Sequence, residues 1–354
     1  MPAKKLHIED FLKLASSLPV FDVRSPGEYE HACMPGALNL PLFTNDERKR
    51  VGTLYKHEGR QRAIKEGLDF FGPNMRSMVE QVEIATGKNR FVSAKEYKAS
   101  VLVHCWRGGM RSSAVAWLLD LYGFEVYTLA GGYKAYRNRV LQQFENSYGF
   151  SIVGGYTGSG KTDVLQELQR RGEAVIDLEA LARHKGSAFG GIGQPEQPSQ
   201  EMFENLLATA LAGKQHQHFY LEDESQRIGV LQIPMAFWKT MRSKNIAFID
   251  VPFEERLHKI IREYGACDKE KLSLSITRIQ KRLGPLETKT ALADLSTGNV
   301  EDCFRILLTY YDKLYNKALN NRENIQGLLN KIPCADVDSV INTEKILLCS
   351  PVKN

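Results

Sequence analysis

Residues 101–112 have the sequence VLVHCWRGGMRS, in which an apolar run leads into a cysteine, two glycines and two arginines. The apolar run 101–104 predicts a short buried strand, and the Ala- and Leu-rich stretch 112–121 predicts a buried helix. Backbone N–H groups of a tight loop between a strand and a helix can point inward, and the helix adds the positive end of its dipole. The stretch therefore predicts an α/β fold with an anion-stabilising loop centred on Cys105.

Cys105 is the strongest candidate for a catalytic residue in this chain. The loop would stabilise its thiolate, a persulfide or selenide carried on it, or an oxyanion under attack, and Arg107 and Arg111 would add positive charge. Such an environment lowers the pKa of a cysteine and makes it nucleophilic. The backbone amides expected to face the sulfur belong to Trp106, Gly108, Gly109 and Met110.

Three further strands are predicted in the first half of the chain, at 19–24, within 34–41 and at 126–129. A charged, helix-prone segment spans 44–98, and a connecting helix is predicted over 133–148. Strands that alternate with helical segments indicate a parallel sheet that is covered by helices on both faces.

A second strand–loop–helix junction lies at 155–162, where the sequence GYTGSGKT matches the phosphate-loop (P-loop) motif G-x-x-x-x-G-K-[ST] in full. The stretch 151–154 before it predicts a strand, and 163–170 after it predicts a helix. Backbone N–H groups would cradle phosphate oxygens, while Lys161 reaches the outer phosphate and Thr162 binds Mg²⁺ if a metal is used. The expected phosphate-binding residues are Gly155, Thr157, Gly158, Ser159, Gly160, Lys161 and Thr162.

A strand that ends in an acidic residue should supply the second partner of such a metal. Further strands are predicted at 174–176, 219–221 and 246–251. The acidic candidates at the ends of these strands are Glu222, Asp223 and Asp177. The ligand of the P-loop stays open between ATP, another diphosphate and an RNA phosphate, because the sequence indicates neither an adenine pocket nor an arginine finger.

The length of 354 residues suggests two domains of ordinary size. The boundary is expected near residue 145, which gives an N-terminal α/β/α parallel-sheet domain at 1–145 and a C-terminal α/β domain of the P-loop NTPase type at 146–354. Beyond about residue 253 the sequence is charged, Tyr-rich and helical, so the second domain should end in a helical part.

The composition is that of an ordinary globular protein, with 43% hydrophobic and 25% charged residues, and the formal charge of +5 permits a nucleic-acid partner without requiring one. No Cys-x2-Cys pair indicates a zinc ribbon or a thioredoxin-type couple. No signal peptide is evident and no stretch approaches ~18 apolar residues, so we expect a cytoplasmic protein with reduced thiols and no membrane partner. Five cysteines are expected to be structural or incidental: Cys33, Cys267, Cys303, Cys334 and Cys349.

The first half of the chain resembles the rhodanese family over residues 15–140. The resemblance is carried by FDVRSPGEY at 21–29, PGALNLP at 35–41, the Cys105 loop and LAGG at 129–132. It implies a rhodanese-like domain in which Asp22 is the buried aspartate that orients the loop by hydrogen bonding.

The Cys105 loop departs from the common rhodanese pattern, because five residues separate Cys105 from Arg111 and ordinary sulfurtransferases of the family usually have fewer. Cys-x5-Arg-Ser matches the cysteine-dependent phosphatases, and a longer loop can seat a tetrahedral oxyanion or a phosphorylated donor such as selenophosphate. The alternative function is therefore a phosphatase or sulfurtransferase fused to a P-loop module that binds ATP or RNA. A phosphatase would need a general acid, for which His31 and the acids of 44–60 are the candidates.

The whole chain resembles the bacterial and archaeal tRNA 2-selenouridine synthases over residues 15–330. Beyond the two loops, the resemblance is carried by VGTLYK at 51–56, LEALARHKGS at 178–187 and EDES at 222–225. It implies an enzyme that replaces the sulfur of wobble 2-thiouridine with selenium from selenophosphate, after attaching a geranyl group from geranyl diphosphate to the sulfur. It also implies that Cys105 carries selenium as a Cys–Se species, and we expect the P-loop to hold the diphosphate of the prenyl donor.

The partner implied by this resemblance is tRNA, bound at its anticodon region, and an enzyme that supplies selenophosphate is a second candidate partner. Basic clusters that could contact RNA phosphates lie at 48–62, 137–139, 183–185 and 278–282. Trp106 is placed to stack on a flipped uridine, and packing under the loop is the alternative role for its ring. The sequence alone does not indicate which of the four clusters contacts RNA.

Overall fold

The computed structural model describes residues 3–87 and 99–349. The chain divides into two compact units, Met1–Gln143 and Phe144–Asn354. Each unit has a five-stranded sheet in which every pairing is parallel, which confirms the predicted α/β class. The end of the helix-prone segment 44–98 lies outside the described residues. Within the described ranges, no helix is both long enough and apolar enough to cross a membrane.

The sheet of the first unit has the strand order β1-β5-β4-β2-β3. Its strands are β1 (Lys4–Leu6), β2 (Val20–Asp22), β3 (Leu38–Asn39), β4 (Ser100–His104) and β5 (Glu125–Leu129). Its helices are α1 (Ile8–Ala15), α2 (Pro26–His31), α3 (Asn45–His57), α4 (Arg60–Ala85), α5 (Met110–Tyr122) and α6 (Gly132–Gln143). The central strand β4 is buried on both faces, as its unbroken apolar run predicts.

The first unit departs from the sequence-based expectations at both ends. Strand β1 was not predicted because it is short and contains two lysines, and it lies at the sheet edge, where Lys4 pairs with Tyr127 of β5. The helix predicted over 133–148 ends at Gln143. The reason is that Tyr148 belongs to the second unit, where its ring packs edge-on against aromatic side chains of that unit's core.

The sheet of the second unit has the strand order β12-β11-β6-β8-β7. Its strands are β6 (Phe150–Gly154), β7 (Val175–Ile176), β8 (Phe219–Glu222), β11 (Ile246–Asp250) and β12 (Leu329–Pro333), and a separate hairpin consists of β9 (Arg227–Ile228) and β10 (Leu231–Gln232). Its helices are α7 (Lys161–Arg170), α8 (Leu178–Ala182), α9 (Gln200–Ala212), α10 (Met235–Arg242), α11 (Phe253–Tyr264), α12 (Lys269–Leu283), α13 (Pro285–Thr297), α14 (Val300–Asn320), α15 (Ile325–Leu328) and α16 (Ser339–Cys349).

Buried apolar side chains of the second unit include one cluster that packs between the sheet and its helices, with Val153, Leu165 and Ile249. Another cluster lies among α11–α14 and includes Ile276 and Leu307. The helices α11–α14 are the helical part predicted beyond residue 253. The edge strand β12 was not predicted, because exposed polar side chains interrupt its apolar pattern.

Candidate active sites

Cys105 lies at the carboxyl end of β4, where the chain turns into α5. The residue is 3% exposed, and its Sγ lies 3.3 Å from Oγ of Ser112. Burial raises the pKa of the Cys105 thiol, but the Ser112 hydroxyl and the backbone N–H groups of Ser112, Gly109 and Arg107 outweigh burial and leave the pKa below its usual value. The loop therefore favours the thiolate, which is the nucleophilic form of cysteine.

Two glycines allow the Cys105 loop to pack against the start of α6. Gly108 and Gly132 have φ angles of +63° and +60°, and a Cβ at Gly132 would lie only 2.3 Å from the carbonyl oxygen of Cys105. The N–H of Tyr133 donates to that same carbonyl at 2.8 Å. The loop carbonyl thus turns toward α6, while loop amides face the sulfur.

Arg111, in the first turn of α5, is fixed by Glu28 of α2. Its Nη1 donates to Oε2 of Glu28 at 2.6 Å, and its Nη2 donates to Oε1 at 3.4 Å. Burial acts to raise the pKa of the Glu28 carboxyl, but Arg111, with help from the Ser25 N–H and Arg48, holds that pKa at about 2. Arg111 is therefore an oriented cation at the exit of the loop.

Replacing Glu28 with glutamine is expected to lower the free energy of unfolding by about 2 kcal/mol near neutral pH, because a charge-assisted pair is removed. The folded-state pKa lies below the ordinary value of about 4.3. The stabilisation is therefore present above that pH and disappears as pH falls toward 2. Urea unfolding followed by tryptophan fluorescence measures the difference in unfolding free energy between wild type and variant at each pH.

The control is Glu80→Gln, which removes an exposed ion pair with Arg76 and should change the free energy of unfolding little. A Glu28→Gln difference that stays constant from neutral to acidic pH would contradict the assignment.

A buried ion pair between Asp22 and Arg24 lies next to the loop. Nε of Arg24 donates to both Asp22 carboxylate oxygens at 3.0 and 2.9 Å, and Nη2 donates to the carbonyl of Ala32 at 2.7 Å. The guanidinium carbon lies 3.8 Å from the centre of the Tyr133 ring and 5.7 Å from that of Trp106. The ring of Trp106 therefore packs near the Arg24 guanidinium. Packing of this kind is the alternative to stacking on a uridine.

The other cysteines differ from Cys105 in their surroundings. All six are free thiols, and burial raises the pKa of Cys33 and takes that of Cys303 to about 12. Arg107 is exposed to solvent and contributes its backbone N–H to the loop. His31, a candidate general acid for the alternative phosphatase function, is the last residue of α2.

The P-loop of the second unit joins β6 to α7. Gly158 and Gly160 have φ angles of +79° and +82°, a region that favours glycine. Nζ of Lys161 donates to the carbonyl of Gly155 at 2.9 Å, so the ammonium group lies across the loop. Oγ of Ser159 is buried and has no hydrogen-bond partner among the described residues. The loop thus presents an ammonium group and an unsatisfied hydroxyl group suited to a phosphate.

The acid that contacts Thr162 is Glu179, which lies in the first turn of α8. Oγ1 of Thr162 lies 3.1 Å from Oε2 of Glu179, and the carboxyl group of Glu224 lies beside that of Glu179. A Cβ at Gly186, whose φ is +68°, would lie 2.7 Å from Glu224 and 2.9 Å from Glu179. Burial raises the pKa of both carboxyls, while Lys161 and Thr162 oppose the rise at Glu179. Such a pair can share a proton or face a cation.

The three acids predicted to accompany Thr162 have other partners. Asp177 caps α8 by accepting from the N–H of Ala180 at 2.7 Å. Glu222 accepts from the N–H of Glu179 at 2.8 Å, and Asp223 accepts from the hydroxyl of Tyr315 at 2.6 Å as well as from Arg322. Glu179 therefore takes the place expected for these acids. In the described ranges, no group of three or more His, Cys, Asp or Glu side chains is arranged to hold a metal ion.

A cavity of about 1410 Å³ opens beside the P-loop. The loop and Lys161 form one part of its lining, and α12 and α14 contribute apolar side chains that include Leu274, Ile279 and Leu314. Glu179 and Glu224 also line it. The volume exceeds the ~300–1,000 Å³ of ordinary ligand pockets, so a small diphosphate ester would leave room for a second ligand.

Each of the two units matches the model of a known protein family. The rhodanese-like domain model matches residues 7–139, and the tRNA 2-selenouridine synthase AAA domain model matches residues 148–331. A tRNA 2-selenouridine synthase of Bdellovibrio bacteriovorus is 35% identical over 356 residues, which cover 86% of this chain and 90% of that protein. The chain belongs to the tRNA 2-selenouridine synthase family. A member of the family from Shewanella piezotolerans is 33% identical, with 91% of this chain and 94% of that protein covered.

A solved structure is also similar to part of this tRNA 2-selenouridine synthase family member. It is an N-terminal domain from Clostridium difficile 630, described as part of an ATP/GTP binding protein, and is 40% identical. The match covers 39% of this chain and 99% of that domain, with a TM-score of 0.34.

Sequence reasoning missed three residues that contact the two loops in this family member. Glu28 and Glu179 lie inside stretches that carried the resemblance, so their chemical type and position were available as signals. Arg256 gave no local signal, because its role depends on two distant partners. It donates to the carbonyl of Thr157 at 3.0 Å and forms an ion pair with Asp312.

Proposed function

We propose that this chain replaces the sulfur of wobble 2-thiouridine in tRNA with selenium, through an S-geranyl-2-thiouridine intermediate. The observation that carries the proposal is family membership across nearly the whole chain, together with two separate anion-stabilising loops. Family membership supports selenation of tRNA. The geometry of the loops supports a division of labour in which the P-loop serves geranylation and Cys105 serves selenium delivery.

For geranylation, we propose that the P-loop holds the diphosphate of geranyl diphosphate. The sulfur of 2-thiouridine attacks C1 of the geranyl group, the C1–O bond breaks, diphosphate leaves and the N3 proton of the base is released. Lys161 and the loop amides stabilise the charge on the leaving diphosphate. Thr162 and Glu179 would hold Mg²⁺, which prefers such oxygen ligands together with phosphates and water. Leu274, Ile279 and Leu314 offer apolar contacts for the prenyl chain.

For selenium delivery, we propose that the Cys105 thiolate attacks the phosphorus of selenophosphate, which a separate enzyme would supply. The S–P bond forms, the P–Se bond breaks and hydrogen selenide ion leaves, after which water hydrolyses the phosphocysteine to inorganic phosphate. The resemblance implies a Cys–Se species instead. To form it, the thiolate would have to attack selenium, which requires either that the phosphorus group leaves with two more electrons or that an external oxidant is present. Attack at phosphorus needs neither. Selenide is a weak base, so its departure requires no general acid.

The selenide released at Cys105 would then complete the exchange on the tRNA. It attacks C2 of S-geranyl-2-thiouridine, the C2–S bond breaks, and geranyl thiolate leaves and takes up a proton. Electrons and atoms balance without a redox cofactor. Ser112, whose hydroxyl lies 3.3 Å from the sulfur, would stabilise the thiolate when phosphocysteine is hydrolysed.

The proposal is tested by incubating the purified protein with 2-thiouridine tRNA and different donors, followed by nucleoside mass spectrometry. Geranyl diphosphate alone should yield S-geranyl-2-thiouridine, and both donors together should yield 2-selenouridine. Selenophosphate without tRNA should give inorganic phosphate and a protein adduct of one phosphoryl group at Cys105. Absence of both modified nucleosides would refute the function, whereas an adduct of selenium instead of phosphorus would refute only the attack at phosphorus.

A further inference from the structure

The walls of the cavity beside the P-loop carry more cationic than acidic side chains, and several of these cations make no ion pair within the described ranges. Cations that line this cavity and make no ion pair within the described ranges include Lys185, Arg227, Arg242, Lys271, Arg278 and Arg282. A diphosphate at the P-loop would already be met by Lys161 and the loop amides. The remaining cations therefore exceed what a prenyl diphosphate requires, and they indicate a larger polyanion.

Helix α12 presents three of these cations on one face. Lys271, Arg278 and Arg282 are separated by seven and four residues, a spacing that places side chains on the same side of a helix. Their helix is anchored by Leu272 and Ile276, which are buried in the core of α11–α14. The basic face thus borders the cavity from a packed, fixed helix.

The basic clusters of the first unit are partly neutralised by ion pairs, and they do not line this cavity. In the cluster at 48–62, Arg48, Arg50 and Arg62 all pair with glutamates. In the cluster at 137–139, Arg139 pairs with Glu9. The clusters at 183–185 and 278–282 instead both contribute cations to the cavity. Of the four clusters in the sequence, these two line the cavity beside the P-loop.

Aromatic side chains alternate with the cations around the cavity. Nζ of Lys185 lies 5.7 Å from the ring centre of Tyr264, and the Arg242 guanidinium lies 4.9 Å from that of Trp238. Tyr310 also lines the cavity. Basic side chains interleaved with flat rings are the surface that single-stranded nucleic acid recognises, since the cations meet phosphates and the rings stack on bases.

We infer that this cavity binds the single-stranded anticodon loop of tRNA, with α12 contacting its phosphates and the 2-thiouridine lying beside the P-loop. The inference rests on the proposed function, which requires the thiouridine sulfur and the geranyl donor to meet in one place. The cavity volume of about 1410 Å³ is large enough for the 2-thiouridine base and geranyl diphosphate together.

The test is a binding measurement without any donor, so it does not depend on the chemistry. Fluorescence anisotropy with a labelled anticodon stem–loop that carries 2-thiouridine gives Kd over a series of salt concentrations. Arg278→Gln combined with Arg282→Gln should weaken binding on the order of tenfold and reduce the slope of log K against log salt by about 1.4, because each single-strand phosphate that is no longer neutralised removes ~0.7 from the slope. Lys185→Gln combined with Arg227→Gln should act in the same direction.

The matched control is Lys269→Gln combined with Lys281→Gln, which removes the same charge from the same helix outside the cavity lining. It should leave Kd within about twofold of wild type and the salt slope unchanged. Circular dichroism confirms that each variant is folded. Wild-type binding by both cavity variants, or equal weakening by the control, would overturn the inference. Failure of geranylation by the wild-type protein would refute the proposed function, but it would not change the conclusion drawn from the binding measurement.

Discussion

Replacing Cys105 with alanine is expected to abolish formation of 2-selenouridine while S-geranyl-2-thiouridine accumulates in the tRNA. The decrease should be at least about a thousandfold, because the variant lacks the thiolate that the loop stabilises. Burial raises the pKa of Cys33, in the same unit, so its thiol is less nucleophilic than that of Cys105. Alanine is smaller than the buried thiol, so the loop should keep its fold. Nucleoside mass spectrometry after reaction with both donors measures the two products directly.

Cys33→Ala is the matched control for this experiment, since it removes a thiol from the same unit without touching the loop. It should leave the yield of 2-selenouridine close to that of wild type. Selenation that persists in Cys105→Ala would mean that selenophosphate reacts with the geranylated base without help from Cys105. The loop would then have a binding role only.

Replacing Lys161 with alanine is expected to reduce geranylation by about 10²–10³-fold, because the variant lacks the ammonium group that stabilises the leaving diphosphate. Nζ of Lys161 donates to the carbonyl of Gly155 at 2.9 Å, so the side chain is held over the loop. The initial rate of S-geranyl-2-thiouridine formation, measured with geranyl diphosphate alone, gives the effect. Cleavage of selenophosphate in the absence of tRNA should proceed at the wild-type rate.

Lys239→Ala on α10 provides the control, as it removes a lysine that does not line the cavity. It should geranylate at the wild-type rate. Unchanged geranylation by Lys161→Ala would show that the P-loop does not bind the prenyl diphosphate. ATP and an RNA phosphate would then be the ligands to test at this loop.

Both loops could be predicted because their signals are local. A strand, a Gly-rich turn and a helix start follow one another within about a dozen residues around Cys105 and again around Lys161. Local sterics and the need to satisfy backbone amides at a helix start favour these conformations wherever such residues occur in that order. The edge strands β1 and β12 are short and polar, and hydrogen bonding to a neighbouring strand defines them. The sequence around them therefore carried little signal.

The rest of the site depends on contacts between residues far apart in the chain. Thr162 meets Glu179 only because β7 lies at the edge of the sheet beside β8, and sequence proximity to a strand end pointed to Asp177 and Glu222 instead. The basic clusters illustrate the same limit. Arg50 and Arg282 look alike in sequence, but tertiary packing pairs Arg50 with Glu66 and leaves the other facing a cavity.

The division of labour between the two loops is tested most directly by passing an intermediate from one variant to the other. S-geranyl-2-thiouridine tRNA is prepared with Cys105→Ala protein, purified, and given to Lys161→Ala protein with selenophosphate and no geranyl diphosphate. We expect conversion to 2-selenouridine at close to the wild-type rate, with release of geranyl thiol. No conversion by Lys161→Ala protein, under conditions in which wild-type protein converts the same tRNA, would contradict the assignment of separate steps to Cys105 and the P-loop.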